Sequence, residues 1–219
     1  SRLRVERLEL LIQTAQEIAA QARILEAREI LDDVVARDPE NHRAYLCLAA
    51  VHEASGQIED AMAAFARACE IAPDDPLLVS ASVFGCDRAP AATLEDGYRI
   101  RRRFNELITR NMPPILSHTN VPAPDRKLRV GYVSGDLRHH SASKVFGVVL
   151  LKHDPAQFEV CAYMTLAGSD WLTDQLKAGI PHWRDASVWS NDRLYEQIRA
   201  DEIDILVDLS GHSAGNRLA

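Results

Sequence analysis

Two polar segments carry the side chains most able to do chemistry. One is Ser134-Gly135-Asp136-Leu137-Arg138-His139-His140-Ser141, the other Asp208-Leu209-Ser210-Gly211-His212-Ser213-Ala214-Gly215-Asn216-Arg217. Imidazole and carboxylate groups exchange protons near neutral pH and can also bind metals. Each segment directly follows a short apolar run that reads as a strand. In open α/β sheets, ligands bind outside the carboxyl ends of the strands. The two loops are therefore expected to meet over one crevice, bringing Asp136, His140, Asp208 and His212 together. No metal site is expected. Adjacent histidines on an extended loop point apart, so His139 and His140 should not share an ion. Neither loop is a phosphate cradle, because GxGxxG and GxxxxGK[ST] are absent.

The elements that must position these loops follow from periodicity. Leu128–Ser134, Phe158–Thr165 and Ile203–Leu209 are β-branched, aromatic-containing apolar runs and predict strands. Helical stretches at Ser143–Lys152, Trp171–Ala178 and Asn191–Asp201 lie between them. Strands alternating with helices predict a parallel sheet covered by helices. Residues 87–126 read as a linker marked by Pro90, Pro113, Pro114, Pro122 and Pro124. One helix lies in it, Leu94–Asn111, with Thr93 as its N-cap. Arg99, Arg101, Arg102 and Arg103 read as a solvated face of that helix, and Tyr98, Phe104 and Leu107 as its apolar side.

The first 86 residues are different. The first 75 of them are rich in Ala, Leu and Glu, and the stretch predicts helices at Arg7–Ala22, Ile24–Arg37, His42–Ser55, Ile58–Ile71 and Pro76–Cys86. Shifted by 34 residues the chain matches itself: Ala27 with Ala61, Leu31 with Phe65, Val34 with Ala68, Pro39 with Pro73. The pattern Tyr45, Leu48, Ala49, Gly56, Ala61, Phe65, Ala68, Pro73 resembles the tetratricopeptide repeat, departing from it at His52. Small residues let paired helices approach, and large ones fill the space between pairs. Gly56 suits a left-handed helix end, while Pro39 and Pro73 stop the second helix of each repeat. About two and a half repeats are expected. Tyr45 and His52 are candidates for a protein-binding face.

Together, KLRVGYVSGD (Lys127–Asp136), LRHHS (Leu137–Ser141), His153-Asp154, Phe158-Glu159-Val160 and DILVDLSGHSAGNR (Asp204–Arg217) resemble one family. It is the protein O-linked N-acetylglucosamine transferases, or SPINDLY-like glycosyltransferases. The resemblance implies an α-solenoid of tetratricopeptide repeats followed by an incomplete Rossmann-like sheet, the amino-terminal lobe of a GT-B fold, over residues 127–219. It implies metal-independent transfer of a sugar, N-acetylglucosamine from UDP-GlcNAc, to Ser or Thr of proteins presented by the repeats. UDP-sugar is then a co-substrate, bound mainly by a second lobe, and no cofactor is implied. On the same basis His140 is the candidate general base. Asp136, Asp208 and His212 line the cleft. Family members with Tyr at the His212 position give that residue a place in the wall and not a catalytic role. Plant relatives of the SPINDLY type imply GDP-fucose as an alternative donor. The chain starts without Met and stops within the first lobe. It therefore reads as a piece of a longer protein, inactive in transfer by itself.

Composition bounds these readings. Hydrophobic residues make up 47% and charged residues 26%, a globular balance that excludes disorder as the main state. The net charge of −7 argues against nucleic acid as a partner. No apolar run approaches the ~20 residues of a membrane helix. Ser1 to Glu9 is charged throughout and carries no signal pattern. Cys47, Cys69, Cys86 and Cys161 form no CxxC pair and read as reduced thiols of a cytoplasmic protein. The competing reading is a non-catalytic repeat module with a degenerate α/β appendage. Loss of polar residues from the strand-end loops would mark it, and here they are present.

Overall fold

The computed structural model describes residues 2–89, 92–112, 117–213 and 215–218. Pro90, Pro113 and Pro114 of the predicted linker, and Ala214 of the second polar loop, lie outside the described residues. The chain divides into two compact units, one of residues 1–82 with 91–107, the other of residues 83–90 with 108–219.

The first unit is helical: α1 (Arg2–Ala20), α2 (Ile24–Arg37), α3 (His42–Ala54), α4 (Ile58–Ile71), then the first part of α5 (Pro76–Arg88) and most of α6 (Leu94–Asn111). Its core takes Leu8, Ile12 and Ala15 from α1, Ala27, Leu31 and Val34 from α2, and Ala44, Leu48 and Val51 from α3. Each set falls on i, i+4, i+7, one stripe of a helix. Asp38 and Ala72, each followed by proline, leave helical geometry with φ −141° and −127°. Gly56 sits at φ +76° as its position required. α1 begins five residues before the predicted start. Tyr45 is half-buried and packs against the core, so packing occupies much of its ring. His52 holds Nδ1 3.2 Å from Gln57 Oε1.

α6 packs with the repeats over most of its length and is no free linker helix. Thr93 and Asp96 cap it reciprocally, with Thr93 Oγ1 accepting from Asp96 N–H at 3.1 Å and the Asp96 carboxylate accepting from Thr93 N–H at 3.0 Å. Its arginines have partners on the chain. Arg102 meets Glu106 at 3.0 Å, Arg103 donates to the Pro73 carbonyl at 3.0 Å, and Arg101 donates to the Gly97 carbonyl at 3.2 Å. Leu107 is buried as expected, but Tyr98 is 62% exposed. The buried stripe runs through Gly97, and Tyr98 stands about 100° around the helix from it.

The second unit is a four-stranded, all-parallel sheet in the order β3-β2-β1-β4. In chain order it comprises β1 (Leu128–Ser134), α7 (Ser141–Leu151), β2 (Phe158–Met164), α8 (Trp171–Gly179), β3 (His182–Asp185), α9 (Asn191–Ala200) and β4 (Ile205–Asp208). β3 has no counterpart in the sequence reading, and β4 is shorter than predicted at both ends. Side chains alternate across the sheet. Val130, Tyr132, Val160, Ala162 and Met164 pack with Leu150 of α7 and Leu172 and Leu176 of α8. Val133, Cys161 and Tyr163 pack with Leu194 and Ile198 of α9. Gly131 allows the second packing, because a Cβ there would lie 3.0 Å from the Ile203 side chain and 3.2 Å from that of Leu206. All four cysteines are free thiols, and burial pushes Cys161 up to about 11. A thiol so protonated is a poor nucleophile.

From β1 the chain steps outward through β2 to β3, then returns through α9 to place β4 on the other side of β1. The winding direction reverses between β1 and β4. A doubly wound sheet opens a binding crevice at such a reversal. The two polar loops leave the carboxyl ends of these two strands.

Candidate active site

The loop after β1 is built largely from its own backbone. Ser134, Asp136 and Leu137 are buried. Asp136 N–H donates to Ser134 Oγ at 3.0 Å and Arg138 N–H to the Asp136 carbonyl at 2.7 Å. Ser143 Oγ donates to the same carbonyl from the first turn of α7. His140 is extended, φ −141° and ψ 156°, and caps α7, its Nδ1 accepting from Ala142 N–H at 3.3 Å. Asp136 Oδ2 lies 3.7 Å from that nitrogen. The imidazole is 46% exposed and the Asp136 carboxylate nearly buried. A neutral imidazole whose Nδ1 accepts a hydrogen bond carries its proton on Nε2.

The loop after β4 is tied to the first. Gly135 N–H donates to Ser210 Oγ at 3.1 Å, with Ser210 buried. Asp208 turns its carboxylate back on its own loop. Oδ2 accepts from Gly211 N–H at 2.6 Å and Oδ1 from Ser210 N–H at 3.3 Å, with Gly211 at φ +54°. This is an Asx turn, and it makes Asp208 a shaper of the loop. His212 is half-buried in the same loop. Farther on, Thr165 Oγ1 donates to the Gly215 carbonyl at 2.8 Å, and Arg217 donates to the Ala186 carbonyl at 3.3 Å. The loop thus crosses the carboxyl ends of β2 and β3. Of the four predicted residues, Asp136 and His140 form a facing pair. Asp208 and His212 belong to the loop that Ser210 fastens beside that pair. Replacing Ser210 with alanine strands the Gly135 N–H. It should destabilise the α/β unit by about 1–3 kcal/mol, read as a lower denaturation midpoint at unchanged denaturant slope.

Asp170 and Thr173 also reach this loop, and reasoning from sequence left them out. Asp170 Oδ2 accepts from His139 N–H at 2.6 Å. That contact, with the Thr173 and Leu172 N–H groups, holds the Asp170 carboxyl below the usual carboxylate range. The signal was present as a helix start, Asp170-Trp171-Leu172-Thr173, the spacing of a capping box. His139 and His140 part company as expected. The His139 ring lies 5.6 Å from that of Trp171, while His140 faces Asp136. Among the described residues, no three or more His, Cys, Asp or Glu side chains stand together as a metal site would require. A cleft of about 500 Å³ lies between α9 and β4, lined by His118, Asn120, Tyr195, Arg199 and Leu206 among others. None of the predicted site residues lines it.

Residues 105–219 match the profile of glycosyl transferase family 41, and residues 19–81 match a tetratricopeptide repeat. The chain is 32% identical over 127 residues to the probable UDP-N-acetylglucosamine–peptide N-acetylglucosaminyltransferase SPINDLY of Solanum lycopersicum, which covers 55% of this chain and 13% of that protein. It is 30% identical over 112 residues to the corresponding probable enzyme SEC of Arabidopsis thaliana, 48% of this chain and 11% of that one. A mutant of the Thermobaculum terrenum O-GlcNAc transferase has a similar structure, with TM-score 0.72 and 26% identity, over 98% of this chain and 48% of that chain. The chain therefore spans a small part of these curated relatives and about half of the solved structure.

Proposed function

The chain belongs to glycosyl transferase family 41, and on that premise we propose that its protein transfers N-acetylglucosamine from UDP-GlcNAc to Ser or Thr hydroxyls of other proteins. The observation that carries the reading is the Asp136–His140 pair at the reversal between β1 and β4, with Asp136 Oδ2 3.7 Å from His140 Nδ1. A Ser or Thr hydroxyl is a poor nucleophile at neutral pH and needs a base. In the resting structure Nδ1 accepts from Ala142 N–H; closing the 3.7 Å gap for the reaction gives up that bond and moves the imidazole proton from Nε2 to Nδ1, hydrogen-bonded to Asp136. Nε2 is then free to accept the hydroxyl proton as the acceptor oxygen bonds to the anomeric carbon. The bond from that carbon to the UDP oxygen breaks, and UDP leaves with the electron pair. Asp136 stabilises the imidazolium that forms.

In this reading the reaction uses no metal ion, and a second Rossmann-like lobe holds most of the nucleotide. The tetratricopeptide repeats present the protein acceptor, with Tyr45 and His52 on the face of candidate contacts. Asp208 supports the site by shaping its loop, and His212 lines the wall. No helix among the described residues is long and apolar enough to cross a membrane. The four free thiols suit a reducing cytoplasm, where we place the protein.

The test is a donor panel on the whole protein with a Ser/Thr-containing acceptor polypeptide. Transfer from UDP-GlcNAc supports the proposal. Transfer from GDP-fucose alone keeps the reaction class and overturns the sugar. No transfer from either donor, with partner proteins still bound by the repeats, favours a non-catalytic binding module.

A further inference from the structure

We infer that Asp170 and Thr173 are positioning residues for His140, acting as a clamp that the next crossover helix closes on its loop. Two bonds join α8 to the three residues just before His140. His139 N–H donates to Asp170 Oδ2 at 2.6 Å, and Thr173 Oγ1 donates to the Leu137 carbonyl at 3.0 Å. The same two side chains cap α8. Asp170 Oδ1 accepts from Leu172 N–H at 2.9 Å and from Thr173 N–H at 3.0 Å, and Asp170 N–H approaches Thr173 Oγ1 at 3.3 Å. Both Asp170 oxygens are therefore in use, and Thr173 is 1% exposed.

The clamp has a rigid foundation. Leu172 and Leu176 of α8 are buried in the core beneath it. Gly147 brings α7 close to α8, since a Cβ there would lie 3.3 Å from Leu176. His140 is the residue after the clamped tripeptide and the cap of α7. Its imidazole is thus set between one helix it caps and another that fixes the backbone entering it. A displacement of about 1 Å at a reacting group can cost about 10²-fold in rate, so a hydrogen-bonded entry to His140 bears on turnover.

The inference rests on the base role proposed for His140, and the test separates the two. Asp170→Asn keeps an oxygen for Leu172 and Thr173 N–H, because asparagine caps helices as well as aspartate does. It sets an NH2 group against the His139 N–H, donor against donor. Amide exchange at Ala142, whose N–H bonds to His140 Nδ1, reports His140 placement in the whole protein. Turnover is read on the whole protein. Asp170→Asn is expected to speed Ala142 exchange about tenfold or more. It should lower kcat by about tenfold or more, with KM for the nucleotide sugar unchanged. Thr173→Ser keeps the hydroxyl and should behave as the parent. Ser190→Ala removes the α9 cap, where Ser190 Oγ accepts from Arg193 N–H at 3.2 Å, and should change neither readout. Unchanged Ala142 exchange in Asp170→Asn overturns the clamp, as does an equal effect from Ser190→Ala. Faster exchange with unchanged kcat upholds the clamp and overturns the base role of His140.

Discussion

Sugar transfer by the whole protein should fall by about 10²–10⁴-fold when His140 is replaced by asparagine, the range a positioned base contributes. Asparagine is the informative choice. In the structure His140 Nδ1 caps α7 by accepting from Ala142 N–H, a job separate from the proposed base role. Alanine would remove both and lose about 1 kcal/mol of cap stability. Asparagine is a good N-cap and has no nitrogen that titrates near neutral pH, so it removes the base and keeps the helix. Single-turnover release of UDP, with thermal melting as the control, reads the two jobs separately. KM for the nucleotide sugar should not change, because the hydroxyl proton moves only in the transition state. A variant that melts like the parent and transfers at the parent rate would end the base role.

The second large effect concerns stability. Asp204 is the residue before β4, and its carboxylate collects four donors. Arg126 grips it in bidentate fashion, with Nη1 2.6 Å from Oδ2. Asn120 Nδ2 reaches Oδ1 at 2.8 Å, and Arg129 N–H of β1 reaches Oδ2 at 2.8 Å. Asp204 N–H returns a bond to the Arg129 carbonyl at 2.9 Å. Asp204 therefore pins β4 beside β1, and with it the spacing of the two polar loops. Its side chain is 9% exposed and that of Arg126 29%. Replacing it with alanine removes the Arg126 and Asn120 bonds and leaves the Arg129 N–H without its partner, so the α/β unit should lose about 1–3 kcal/mol.

Acid should show the same group at work. The Arg126 guanidinium, the Arg129 N–H and Asn120 hold the Asp204 carboxyl far below the usual carboxylate range. A group depressed in the folded state contributes fully above its unfolded pKa of about 3.9 and loses that contribution as pH falls toward the folded value. The parent unit should thus weaken steeply below about pH 4, and Asp204→Ala should flatten this limb while lowering the plateau above it. Urea midpoints against pH, followed by circular dichroism, measure both. An acid limb as steep in the variant as in the parent would assign acid sensitivity to other carboxylates. Asp201 is the first to examine, because Arg184 at 2.8 Å and the Tyr163 hydroxyl at 2.7 Å also stabilise its charge.

What the sequence determined by itself was local in origin. The repeat helices follow from apolar residues at i, i+4, i+7 and from prolines that forbid the helical state just before them. The left-handed end at Gly56 and the Thr93 cap follow from backbone sterics and a side chain within three residues. β1 and β2 follow from apolar runs long enough to be buried on both faces. The position of both polar loops at strand ends was legible for the same reason. β3 was not legible, because His182–Asp185 is four residues of mixed polarity whose strand state comes from pairing with β2. Tyr98 was misplaced because apolarity marks which residues can be buried, while packing against neighbours decides which are. The strand order, and so the reversal between β1 and β4, depends on β1 choosing β4 about 75 residues away, and no local pattern encodes that choice. The three side chains that lock the site belong to the same class. Ser210 meets Gly135 across 75 residues, Asp170 meets His139 across 31, and Thr173 meets Leu137 across 36. Each is an ordinary capping or turn residue in the sequence. Only the folded sheet brings its free oxygen or hydroxyl to a backbone group that lacks a local partner.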